Sequence, residues 1–206
     1  RFDDFGTSAV TLDLQEGGVY TFDQSDSSNS GHPLRFSTTS DGTHGGGSAY
    51  TTGVVVSGTP GSSGAKTVIT VAGSAPTLYY YCSNHSGMGG QANTNSTFGS
   101  SNFAGTTQST VSVNTTAGFS VVKYTGADAV RTIGHGLGSK PNWIIVKRLG
   151  TGSSPWQVYY SALGATKYMV LNSTNNQDSS TARWNDTEPT SSVFTLSTSA
   201  HVNESG

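Results

Sequence analysis

The sequence predicts an all-β protein, a sandwich or barrel of antiparallel strands, on three observations. Apolar and polar residues alternate with period two in many short runs, each run is bounded by Gly, Pro, Ser or Asp, and no segment keeps a helical period over about ten residues. The 27 glycines among 206 residues supply the turns such a chain needs.

The runs appear in order. In "AVTLDLQ" (9–15) Val10, Leu12 and Leu14 share one face, and Thr11, Asp13 and Gln15 the other, the pattern of a half-buried strand. "GVYTF" (18–22), "LRFST" (34–38), "GVVVS" (53–57), "TVITVA" (67–72) and "TLYYYC" (77–82) follow. The stretch from Gln91 to about Thr107 is small and polar and reads as a linker. A second β-rich block then contains "STVSVN", "GFSVVKYTG", "NWIIVKRL", "WQVYYSAL", "KYMVLNS" and "VFTLSTSAHV". In "NWIIVK" the alternation is expected to turn Trp143 and Ile145 under the sheet. "SALGATKYM" has room for one helical turn. The expected organisation is a sandwich over 1–92, a linker over 93–107, and a second sandwich or jelly-roll-like module over 108–206.

Composition narrows the function. Ten Lys and Arg against twelve Asp and Glu give a net charge of -2, and only 11% of residues are charged, against about 25% in soluble proteins generally. No basic surface for nucleic acid or acidic lipid is expected. One cysteine excludes an internal disulfide. There is no apolar run of about 18 residues and no basic-plus-apolar leader, so neither a membrane span nor a signal peptide is expected. The opening at Arg1, without an initiator Met, is expected to reflect a piece of a longer or processed polypeptide.

One segment carries chemistry. "YYYCSNHSGMGG" (79–90) holds Cys82, His85 and Met88 at three-residue spacing. A mononuclear type 1 copper site uses two imidazoles and a thiolate in a near-trigonal plane, with a weak axial thioether. Here a strand ends at Cys82, a Gly-rich loop offers His85 and Met88, and "SGHPLRF" places His32 at an upstream turn-to-strand junction. The competing reading makes Cys82 a buried small hydrophobe, Met88 a gap-filler and His85 a hydrogen-bonded loop residue. His44, in "DGTHGGGS", is a rival imidazole, and the weak "GGQANTNST" leaves the closing strand of such a sandwich without a β-branched core. Tyr79, Tyr80 and Tyr81 alternate across the strand, with Tyr80 on the face of Leu78 and Cys82.

On these residues the first ~90 positions resemble a small cupredoxin, and Cys-x-x-His-x-x-Met is similar to the ligand loop of amicyanin-type blue copper proteins. The resemblance implies copper held by His32, Cys82, His85 and Met88. The second half, through "TIGHGLGSKPNWIIVKR", "WQVYYSALGATKYMVLNST", "ARWNDTEPTSSVFTL" and "SAHVNESG", resembles a β-rich module of marine bacteriophage structural proteins, cyanophages above all. Segments of the first half, such as "TFDQSDSSNSGHPLRFSTTSDGTH", resemble parts of the same chains. That module usually continues beyond "VNESG", so the C-terminus is expected to be cut.

The resemblance implies a non-enzymatic virion component: a tail fibre, appendage or surface decoration on the particle exterior, serving assembly or host attachment. Its partners would be other virion proteins, further copies in a trimer or larger symmetric assembly, and a host surface glycan. The alternatives are a copper electron-transfer protein and a glycan-binding module, the latter using Trp156, Tyr159 or Trp184. Asp186 and Glu188 sit two apart as on one strand face, but no partner carboxylate is placed to complete a glycosidase pair. His135, between two glycines, reads as a turn residue.

Overall fold

The computed structural model describes residues 9–95, 98–150 and 152–205, so the opening "RFDDFG" lies outside the described residues. The chain is all-β and divides into two compact units at Ser100/Ser101. Among the described residues, no helix is long and apolar enough to cross a membrane.

The first unit is a sandwich of two sheets. Strands β1 (Leu12–Asp13), β3 (Leu34–Ser37), β6 (Leu78–Cys82) and β7 (Gly89–Asn93) form one sheet in the order β1-β7-β6-β3, and β2 (Val19–Asp23), β4 (Val54–Ser57) and β5 (Lys66–Thr70) form the other in the order β2-β5-β4. Every pairing is antiparallel except β1 with β7. Val10, Leu12 and Leu14 are all buried, as their alternation requires. Phe22 of β2 meets Phe36 of β3 edge-on at 5.4 Å, joining the two sheets through the core.

The weak segment "GGQAN" closes the first sheet after all. β7 is laddered on both sides, to β6 and to β1, and its pairing makes up for its low β-propensity. Gly89 is required there, because a Cβ would lie 2.0 Å from the Tyr80 carbonyl oxygen. Asn93 Nδ2 donates to Asp13 Oδ1 at 2.9 Å, tying β7 to β1 through side chains.

The stretch read as a linker is partly strand. β8 (Ser100–Asn102) begins at the boundary and is the edge strand of the sheet β10-β9-β8, with β9 (Ser109–Asn114) and β10 (Phe119–Tyr124). Backbone pairing and short polar contacts hold it, such as Gln108 Nε2 donating to Ser101 Oγ at 2.9 Å, so no apolar period marks it.

The second unit adds β11 (Arg131–Gly134) paired with β16 (Val193–Leu196), and a four-stranded sheet of β12 (Trp143–Val146), β13 (Gln157–Tyr160), β14 (Lys167–Val170) and β15 (Asp178–Ser179). Two single-turn helices, α1 (Thr181–Trp184) and α2 (Ala200–Asn203), complete it. Neither is long enough to show a period in sequence, and residues 161–163 of "SALGATKYM" form a non-helical turn. The core gathers Ile133, Phe194 and Leu196 from one sheet, Val146 and Tyr159 from the other, and Trp184 and Val202 from the helices.

The face assignment of β12 is the reverse of the expected one. Ile144 and Val146 point to the core, whereas Trp143 is 53% and Ile145 49% exposed. In the run "WIIV" every residue is apolar, so alternation cannot tell the two faces apart.

His135 follows β11 and is buried. Its Nδ1 accepts from Leu137 N at 3.2 Å and its Nε2 lies 3.3 Å from the Thr190 carbonyl, which fits the neutral tautomer with the proton on Nε2. Burial lowers its pKa below the ordinary histidine value, with the Thr190 contact opposing. His201, beside Ser154, is lowered too, by burial and then by Arg183 and Arg148. Both are neutral in the fold where the unfolded chain is protonated, so stability is retained above about pH 6.5 and falls as pH drops below it. Denaturant midpoints of the second unit are expected to decline between pH 7.5 and 5.5, less steeply in His135→Gln. A pH-independent midpoint would contradict the buried neutral imidazole.

Candidate metal centre

The cluster is assembled by the first sheet. β6 and β3 pair with Leu34 opposite Cys82, which brings the residues just before β3 against the end of β6. His32 lies two residues before Leu34, and His85 is on the loop leaving β6. His32 Nδ1 is 3.7 Å and His85 Nδ1 3.5 Å from Cys82 Sγ, and the three ligand atoms lie within 4.8 Å of one another. The two imidazole rings are 4.6 Å apart between centroids.

These separations suit a shared ion. Metal–nitrogen lengths of about 2.05 Å and a metal–sulfur length of about 2.3 Å put S and N about 3.6 Å apart at a tetrahedral angle and about 3.8 Å at a trigonal one. The observed S–N separations of 3.5 and 3.7 Å match that range, and the two imidazole nitrogens, within 4.8 Å of each other, would close to about 3.5 Å around an ion. The donor set, one thiolate and two imidazoles, is the softer kind that copper and zinc favour over calcium or magnesium. Cys82 is buried, His32 half-buried and His85 exposed, so the site opens to solvent on the His85 side.

Met88 ends the same loop and is 46% exposed. Its carbonyl accepts from Cys82 N at 2.9 Å, which closes the loop and keeps Met88 beside the cluster. Three of the four residues expected from sequence therefore converge through their side chains, while Met88 is fixed there by its backbone.

His44 is not a third imidazole of the cluster. Its Nε2 lies 3.1 Å from the Cys82 carbonyl oxygen, so with the proton on Nε2 it holds the Cys82 peptide from outside. Sequence reasoning also missed Gln24, buried between the sheets. Its Nε2 donates to the His32 carbonyl at 2.8 Å and its Oε1 accepts from Leu34 N at 3.1 Å, fixing the segment that carries His32. Ser83 N donates to the Pro33 carbonyl and Asn84 Nδ2 to the Gly31 carbonyl, both at 3.0 Å, so the two ligand-bearing loops are stitched together. Nothing short of the three-dimensional pairing marks these residues, since their partners lie up to 53 positions away.

The other candidates of the second unit sit among structural contacts. Asp186 and Glu188 lie in the loop after α1 rather than on a strand, with Asn185 and Asp186 both at positive φ. Glu188 Oε2 accepts from Lys140 Nζ at 2.7 Å and Tyr159 Oη at 2.6 Å, and Oε1 accepts from Ala165 N at 2.7 Å. The Lys140 bond first, then Tyr159, holds its carboxyl below the usual range. Glu188→Ala is expected to destabilise the second unit by about 1–3 kcal/mol, because the buried Tyr159 hydroxyl loses its partner. An unchanged melting temperature would refute that role. Tyr159 and Trp184 are core residues, leaving Trp156 as the exposed member of that aromatic trio.

Neither the curated proteins nor the solved structures include a match to this chain. Residues 90–206 match the family described as Domain of unknown function (DUF7483). The match begins two positions after Met88, so the cluster precedes it. By that match, which spans more than half of its length, the chain belongs to the DUF7483 family.

Proposed function

We propose that the first unit is a cupredoxin-like module that binds one copper ion through His32, Cys82 and His85, with Met88 as the weak fourth ligand, in a non-enzymatic chain of a phage virion surface. The observation that carries the metal reading is the convergence of two imidazole Nδ1 atoms on one buried sulfur at 3.5 and 3.7 Å. Bound copper would supply one-electron Cu(II)/Cu(I) exchange and a cross-link between the β3 and β6 ends. Cys82 presents the thiolate from the sandwich interior, His32 is held by Gln24, and the exposed His85 gives the outward route an electron would take. The test is one equivalent of Cu(II) added to the purified protein. An intense visible thiolate-to-copper band at 1:1 stoichiometry is expected, and a featureless spectrum would sink the reading.

The virion role is supported by a different feature. Trp143 and Ile145 of β12, Tyr160 of β13 and Met169 of β14 share the face of the four-stranded sheet opposite the core, by their registers, with Val158 buried among them. Trp143 stacks on Tyr160 at 4.7 Å, Trp156 and Leu171 extend the face, and both are exposed. A contiguous apolar surface of this kind is characteristic of an association site, and in a symmetric particle component its occupant is a second copy of the chain. Trp143→Ser with Ile145→Ser is expected to lower the assembled mass in sedimentation to that of the single chain. An assembly unaffected by both changes would refute the interface, and an aromatic face that instead retained glycans in a binding array would favour host attachment.

A further inference from the structure

Residues 38–48 connect β3 to Ala49 as a compact loop of turns, closed at its base by the Ser37–Ala49 bridge and by Ser37 Oγ donating to the Ser48 carbonyl at 2.8 Å. Within it, Gly42 N donates to the Thr39 carbonyl, His44 N to the Asp41 carbonyl and Gly47 N to the Gly42 carbonyl, at 2.9–3.1 Å. The loop braces itself. It also lies flat on β6: a Cβ at Gly42 would fall 2.4 Å from the Tyr81 ring, and the His44 ring meets Tyr81 edge-on at 6.4 Å. This cover explains why Tyr81 is buried although it faces away from Leu78, Tyr80 and Cys82.

Two side chains reach from this loop to the segment bearing the metal ligands. Asp41 Oδ1 accepts from Gly87 N at 2.9 Å, between His85 and Met88. His44 Nε2 meets the Cys82 carbonyl at 3.1 Å. Asp41 stands at φ +57°, a conformation that Asp, Asn and Gly adopt far more readily than other residues. A shallow cleft lined by Ser40, Asp41, Tyr79, Gly87, Gly89 and Gly90 runs between the loop and the ligand segment.

We infer that residues 38–48 form a strap whose Asp41 and His44 are positioning residues, holding the ligand loop 83–88 in its metal-ready arrangement before any ion arrives. The inference rests on the copper reading above and adds its device of preorganisation. The ligand loop is exposed from Asn84 to Met88 and has no apolar anchor of its own. Ordering such a segment on binding opposes affinity, and a loop already tied at Gly87 and at Cys82 avoids much of that cost. Outer partners of metal ligands elsewhere change affinity by about 10–100-fold when removed.

The variants separate contact from conformation. Asp41→Gly tolerates positive φ but deletes the acceptor, whereas Asp41→Asn keeps both. His44→Ala deletes the donor, and His44→Gln can restore an N–H near the Nε2 position. Copper affinity is measured by chelator competition, the site by its visible band, and the metal-free protein by amide exchange at Gly87. The expected result is about 10–100-fold weaker copper binding with a shifted band in Asp41→Gly and His44→Ala, and near wild-type behaviour in Asp41→Asn and His44→Gln. Gly87 is expected to exchange faster in Asp41→Gly than in Asp41→Asn even without metal. A normal wild-type band with unchanged affinity and spectrum in both deleting variants overturns the strap alone. A wild-type protein that shows no thiolate band overturns the copper reading and the strap's role together.

Discussion

Cys82→Ser is expected to abolish the visible copper band and the copper-dependent rise in melting temperature, while leaving the metal-free fold close to wild-type stability. The two losses have one cause. The thiolate is the group that carries the charge-transfer band and the anionic charge in the cluster, and a serine hydroxyl, with a pKa far above neutrality, supplies neither. The metal-free fold is expected to lose little because Ser is nearly isosteric and the exposed His85 ring, its Nδ1 3.5 Å from the old sulfur position, needs only a small shift to pair with the hydroxyl. With copper at a hundredfold excess over its dissociation constant, binding to the native state alone stabilises it by about 2.7 kcal/mol. At about 4–8 °C per kcal/mol for a unit of this size, the wild-type melting temperature should rise by roughly 10–20 °C, and the variant's not at all. A variant that keeps the copper-induced rise would show that the ion sits elsewhere on the chain.

The parts of this chain that sequence made legible are those where alternation is clean and local. Val10, Leu12 and Leu14 fall on the buried face they predict, and Leu78, Tyr80 and Cys82 do the same in β6. His32, Cys82 and His85 could be paired from their order because a strand end, its following loop and one upstream turn sufficed. What sequence hid was non-local. β7 and β8 form from Gly, Gln, Ser and Asn, residues with no β-type signature, because neighbouring strands offer them ladders. Trp143 and Trp184 were indistinguishable by residue type, yet one caps an open sheet and the other fills a core. Gln24, Asp41 and His44 act through partners far along the chain, and a polar side chain in a turn-rich sequence announces no such partner.

Trp184→Ala carries the largest expected cost to the second unit. Trp184 is the last residue of a four-residue helix, too short to persist through its own hydrogen bonds. Its ring lies in the core edge-on to Tyr159 at 6.1 Å, and its Nε1 donates to the Lys167 carbonyl at 3.1 Å, so one side chain docks α1 against β13 and β14 together. The helix in turn gives carbonyls to the segment that follows β16, Arg183 accepting from Ser197 N and Ala182 from Ser199 N, both at 2.9 Å. Truncating a buried Trp costs about 3–5 kcal/mol, a large share of the 5–15 kcal/mol that hold an ordinary domain. The melting temperature of this unit should fall by roughly 12–40 °C, whereas Trp156→Ala, at an exposed position, should change stability by less than about 1 kcal/mol. Trp184→Phe separates packing from hydrogen bonding: it keeps most of the buried ring, loses the Nε1 donor, and is expected to fall between the two. Equal stabilities of Trp184→Ala and Trp156→Ala in urea unfolding would mean that the core of this unit is not organised around Trp184.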